Sequence, residues 1–102
     1  MNPTQHSDIV RRLNCAAGHL KAVIKMVEDG KTCEQVVHQI AAVDAALRVV
    51  GTRLIIDQAQ LSQSILLDSS SIQQRSDELK RLQSLYTILL RNSDYYSEVS
   101  YE

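Results

Sequence analysis

The chain of 102 residues contains no Trp or Phe, one Pro, three Gly and two Cys. The two cysteines, 18 positions apart, are too few for a disulfide framework or for a local four-ligand zinc site of the Cys-x-x-Cys kind. No apolar run approaches the roughly 18 residues that a bilayer span requires, so no membrane partner is expected. The opening residues Met1-Asn2-Pro3-Thr4-Gln5-His6-Ser7-Asp8 have no signal-peptide character. The cytosol is therefore the expected compartment. No acid–base pair or nucleophile–base constellation is visible beyond a lone Cys, so no enzyme is expected, and nothing in the residues calls for a cofactor.

What is present is 44% hydrophobic and 23% charged, too rich in Leu, Ile, Val and Ala for wholesale disorder and of one-domain length. The net charge of −1 conceals a gradient. Residues 1–31 carry five basic against three acidic side chains, a net of +2; residues 32–68 have −2 and residues 69–102 have −1. Any electrostatic footprint for a polyanion lies near the N-terminal third.

The composition favours helix, and the spacing predicts three, over about 5–29, 33–66 and 71–91. The first carries an apolar stripe of Ile9, Leu13, Ala16, Leu20, Val23 and Val27, after which Gly30 is a natural residue for the helix end. Thr32-Cys33-Glu34-Gln35 has the reciprocal pattern of a capping box, so a second helix is expected to start at Cys33. Its stripe is Val36, Ile40, Val43, Leu47, Val50 and Leu54, with Val37, Ala41, Ala45, Val49 and Ile56 lying off that line. One partner helix cannot cover both sides. The third helix has a start signal at Ser69-Ser70-Ser71 and a stripe of Ile72, Leu79, Leu82, Tyr86 and Leu89. Residues 1–92 form the expected helical domain. Residues 93–102 read as an acidic mobile tail with three tyrosines, a candidate docking point for a protein partner. The middle helix, roughly 48 Å long at ~1.5 Å per residue, exceeds what a compact domain of this length needs. An all-α, three-helix protomer is expected to close as an antiparallel dimer with a four-helix core, stacked into a dimer of dimers.

Three segments carry a family resemblance. They are Arg12-Leu13-Asn14-Cys15-Ala16-Ala17-Gly18-His19-Leu20-Lys21, then Met26-Val27-Glu28-Asp29-Gly30-Lys31-Thr32-Cys33, then Gln39-Ile40-Ala41-Ala42-Val43-Asp44-Ala45-Ala46-Leu47-Arg48-Val49-Val50-Gly51. Together they resemble the CsoR/RcnR family of small all-helical bacterial repressors, over roughly residues 9–90. The resemblance implies a disc-shaped homotetramer without a helix-turn-helix. Such a tetramer binds operator DNA until a metal ion or reactive small molecule engages the Cys site.

The resemblance makes Cys33 the centre of the effector site, and its position opening a helix, at the positive end of the dipole, favours nucleophilic reactivity. The bland alternative is a small residue at a helix start. Metal-sensing relatives place His and Cys or His 25 and 29 residues after this Cys; here those positions are Gln58 and Ser62, which are poor ligands for Cu(I) or Ni(II). Glu78 falls where some relatives have a second acid near the site. Gln58, Ser62 and Glu78 read either as effector residues or as an interfacial hydrogen-bond cluster. Sulfur-sensing relatives need a second Cys where Ser62 stands, and formaldehyde-sensing ones an amino-terminal Pro where this chain begins Met1-Asn2-Pro3. A metal ion would find an incomplete ligand set, in which Cys33 and His6 are the weak candidates. His38 diverges from Cys33 by about 140° around the helix, and His19 is expected to face solvent or operator. Cys15, off the stripe, has no expected role.

Arg11, Arg12, Lys21, Lys25 and Arg48 are the candidate DNA contacts. Against them, Asn14 and Cys15 stand at positions that are commonly basic in the family, and Asp44 replaces an Arg. Two readings follow: an operator-binding repressor with a degenerate, non-copper effector site, or a tetrameric paralogue that has lost DNA binding and acts through protein contacts.

Overall fold

The computed structural model describes the backbone of residues 2–100 and the side chains of residues 2–91. Three helices make up the described chain: α1 (Pro3–Glu28), α2 (Cys33–Asp68) and α3 (Ile72–Ser100). Each start is built by local side chains. At α1, Asn2 Oδ1 accepts the amide of Gln5 at 2.8 Å while the Asn2 amide donates to Gln5 Oε1 at 2.9 Å, with Pro3 in the first turn where its missing N–H costs nothing. At α2 the expected capping box forms, each of the Thr32 and Gln35 amides donating to the other's side chain at 3.2 Å. At α3 the Gln74 amide donates to Ser71 Oγ at 3.2 Å.

The end of α1 is a Schellman turn. Lys31 N donates to Met26 O at 3.0 Å and Gly30 N to Val27 O at 3.1 Å, which requires Gly30 in the left-handed region at φ 73°. The third helix differs from its expected extent. It continues past Asn92 to Ser100, because the chain has neither Gly nor Pro after Gly51 to stop it. Docking by the C-terminal tyrosines falls on residues 101–102 and on side chains outside the described ones.

The chain divides into two compact units, residues 2–53 and residues 54–102. In the first, α1 packs antiparallel on the first half of α2, as contacts between His19 and Gln39 and between Asp8 and Arg53 require. Its core is Ile9, Ala16 and Val23 from α1 with Val43 and Val50 from α2. These positions repeat every seven residues. The alternate members of the same stripes, Leu13, Leu20, Val27, Ile40 and Leu47, remain exposed. The hairpin thus buries three of the six stripe residues of α1 and two of the six of α2, with each buried Ile or Val contributing roughly 1.5–3 kcal/mol.

The second unit holds the rest of α2 and α3. Among its described residues no apolar side chain is fully buried; Ile65, Leu66, Leu82, Leu85 and Leu89 are half-buried. The one fully enclosed side chain among those described residues is that of Ser62, at 0% exposure.

Because Gly30 alone among the described residues adopts a positive φ, Gly30→Ala is expected to destabilise the protein by about 1–2 kcal/mol through the left-handed penalty. Chemical denaturation followed by circular dichroism checks this; an unchanged midpoint would show that the turn relaxes at no cost.

Candidate functional site

Three of the seven basic residues of the first unit gather around a single carboxylate. Asp8 lies one turn before Arg11 and Arg12 on α1, so helical spacing alone brings the three together. Arg11 Nη2 donates to Asp8 Oδ1 at 2.8 Å and Arg12 Nε to Oδ2 at 2.9 Å. From α2, Arg53 Nη1 donates to the same Oδ2 at 3.3 Å. The hydrogen bonds from Arg11 and then Arg12 hold the Asp8 carboxyl below the ordinary aspartate value, and the Asp8 charge raises the Arg11 guanidinium in turn. Arg53 is the member missed by the sequence reading, since it lies 45 residues from Asp8 and no local pattern joins them.

The other basic candidates differ among themselves. Asp44, the charge reversal noted in the sequence, pairs with Arg48 one turn later at 3.1 Å. Lys21 and Lys25 are exposed. His19, expected toward solvent or operator, instead places Nε2 2.7 Å from Gln39 Oε1, a bond from α1 to α2 that donates when Nε2 carries the proton. It is half-buried because a side chain at this height on α1 meets α2. Cys15 is an exposed free thiol in a shallow groove with Arg11, Arg12 and His19.

The effector candidates fall in both units. Cys33, exposed and free in the first turn of α2, belongs to residues 2–53. Gln58, Ser62 and Glu78 belong to residues 54–102. One turn of α2 brings Gln58 and Ser62 together, and Gln58 Nε2 donates to Ser62 Oγ at 3.2 Å. Glu78 has a buried Oε2 with no hydrogen-bond partner among the described residues. A buried carboxylate oxygen without a donor is costly, so a donor from outside the described chain suits it.

A family model described as "Metal-sensitive transcriptional repressor" matches residues 5–89. The chain belongs to that family, the CsoR/RcnR repressors. No curated protein and no solved structure matches the chain. All the candidate residues above lie inside the matched span.

Membership of the metal-sensitive transcriptional repressor family implies a metal, and the residues at hand do not fit a soft one. The Gln58 amide nitrogen has no lone pair to give and is spent on Ser62, whose hydroxyl competes poorly beside thiolate. Among the described residues no three His, Cys, Asp or Glu side chains gather to hold an ion. His6 and Cys33, the weak pair named from sequence, sit at opposite ends of α1. Between His6 and Glu28 alone the helix rises ~33 Å, so one protomer cannot bring the two to one ion. No helix among the described residues is long and apolar enough to cross a membrane.

The lowered Asp8 pKa ties the stability of this protein to pH. Because the folded-state value lies below the unfolded value near 3.8, the stabilisation is complete above that value and is lost as pH falls through the folded one. The Asp8 side-chain carboxyl, followed by carbon NMR, is expected to titrate below 3.8. Asp8→Asn is expected to flatten the acid limb of the stability curve in that window and leave its neutral-pH slope unchanged; a carboxyl titrating at or above the ordinary value contradicts the Arg11 and Arg12 bonds.

Proposed function

We propose that this chain is an operator-DNA-binding repressor, working as a homo-oligomer, with a non-copper effector site centred on Cys33. The observation that carries the reading is the family match over residues 5–89, which takes in the basic cluster on α1 and Cys33 at the head of α2. The hydrogen bond that Gln58 donates to Ser62, at the positions where metal-sensing relatives place ligands, supports an effector other than a soft metal. A thiol-directed small molecule at Cys33 suits the residues better. Cys33, Arg48 and Arg53 share α2, so an effector that binds better to a DNA-free arrangement of that helix lowers operator affinity by mass action.

Self-association is supported by the unburied members of the apolar stripes, Leu13, Leu20, Val27, Ile40 and Leu47, and by a second unit without a buried apolar side chain of its own among the described residues. A disc-shaped tetramer built from antiparallel dimers covers both. A second reading, a tetrameric paralogue that acts through protein contacts, is favoured by one observation: Asp8 and Asp44 neutralise part of the charge of Arg11, Arg12 and Arg48.

A gel shift with the protein's own upstream DNA at several salt concentrations separates the two readings. The repressor forms a sequence-preferring complex that weakens steeply with salt; absence of such a complex even at low salt leaves only the paralogue. For the effector, intact mass after exposure to an aldehyde, a persulfide and metal ions is expected to change in the wild type and not in Cys33→Ala. Identical behaviour removes Cys33 from sensing. For assembly, sedimentation of Leu20→Glu is expected to show dissociation at least ~10-fold easier than wild type, because a buried unpaired charge is costly.

A further inference from the structure

Asp8 and the three arginines around it do more than neutralise one another. One carboxylate offers about four acceptor sites, whereas three guanidiniums carry about fifteen N–H donors, so about eleven remain to be offered elsewhere. The cluster has a net charge of +2, from one acid and three bases. Exposure decides which charges an incoming ligand meets. The Asp8 side chain is 28% exposed and Arg12 32%, against 63% for Arg11 and 53% for Arg53, so the carboxylate and Arg12 are recessed while Arg11 and Arg53 stand forward. Surface ion pairs contribute little to folding, so stability alone gives small reason for drawing three arginines from two helices onto one acid. Ordering them does have a use. Long side chains fixed in advance lose less entropy when they bind, and guanidinium forks match phosphate oxygens two at a time.

We propose that Arg53 completes a phosphate-binding clamp with Arg11 and Arg12, that Asp8 is its positioning residue, and that the backbone phosphate of duplex DNA is its ligand. The proposal rests on the operator-binding reading and adds to it a residue on α2 and an acid that helps rather than hinders. Arg53 enters because its guanidinium reaches the same Asp8 oxygen as Arg12, which places cations of α1 and α2 side by side. Asp8 acts through the arginines and does not touch DNA. This gives an inverted sign. Charge counting says that neutralising Asp8 tightens binding to a polyanion, whereas loss of positioning says that it weakens it.

The test uses the full chain and a duplex from its upstream region, with affinity measured across a salt series. Arg53→Gln is expected to weaken binding about tenfold or more, the worth of a charge-assisted hydrogen bond, and to lower the salt slope by about 0.9 for each phosphate it no longer neutralises. Asp8→Asn is expected to weaken binding severalfold despite the added positive charge, and to be non-additive with Arg53→Gln. Arg53→Lys, which keeps the charge but not the fork, is expected to fall between wild type and Gln and stands in if the Gln variant fails to fold. An unchanged affinity and slope in the Arg53 variants, or tighter binding by Asp8→Asn, overturns the clamp while leaving the repressor reading in place. If wild type binds no duplex at any salt, the repressor reading fails. The clamp is then judged by titration with inorganic pyrophosphate, read on the arginine Nε–H signals in NMR. Shifts at Arg11, Arg12 and Arg53 that vanish in Asp8→Asn keep it as an anion site, and no shifts overturn it.

Discussion

The structure depends on how a seven-residue repeat is divided between two partners. Along α1, Ile9, Ala16 and Val23 face α2, and along α2, Val43 and Val50 face back. The intervening Leu13, Leu20, Val27, Ile40 and Leu47 lie on the same stripes but are turned to the outside. A two-helix hairpin can enclose one seam of a helix and not its flank, because the 3.6-residue turn spreads a stripe of 3 and 4 steps over more arc than one neighbour covers. What the hairpin leaves uncovered is the surface through which the homo-oligomer of the proposed function would be built. The same limit acts more strongly on residues 54–102, where a serine is the fully enclosed side chain among the described residues.

That serine matters chemically. Ser62 accepts a hydrogen bond from Gln58 one turn earlier, so these two positions hold a neutral, hydrogen-bonded pair. Such a pair costs little to bury and gives little to a soft cation. Glu78, with one buried oxygen lacking a partner among the described residues, is the unbalanced group of that unit. A donor supplied from outside the described chain would satisfy it.

Charge follows a similar logic of local balance. The near-neutral total suggests a protein indifferent to polyanions, yet residues 2–53 hold seven basic and five acidic side chains, and residues 54–102 four and seven. Within the first unit two of the five acids are set against bases. Asp8 organises Arg11, Arg12 and Arg53, and Asp44 pairs with Arg48, so the acids set the geometry of the bases as well as diluting them.

Much of this was legible in the chain itself. The start of α2 at Cys33, the glycine turn after α1, the apolar stripes and the likeness to the CsoR/RcnR repressors all follow from local spacing, since caps, turns and helix faces are set by residues within four of one another. The Asn2-Pro3-x-Gln5 cap is equally local, whereas α3 runs to Ser100 where its stripe predicts an end near 91, since no breaker stops it. Tertiary structure alone decided which members of each stripe are buried, that His19 meets Gln39, and that Arg53 joins Asp8 from 45 residues away. Periodicity names a helix face but not its neighbour; only the pairing of α1 with α2 determines which side chains stand at the same height and which remain open to solvent.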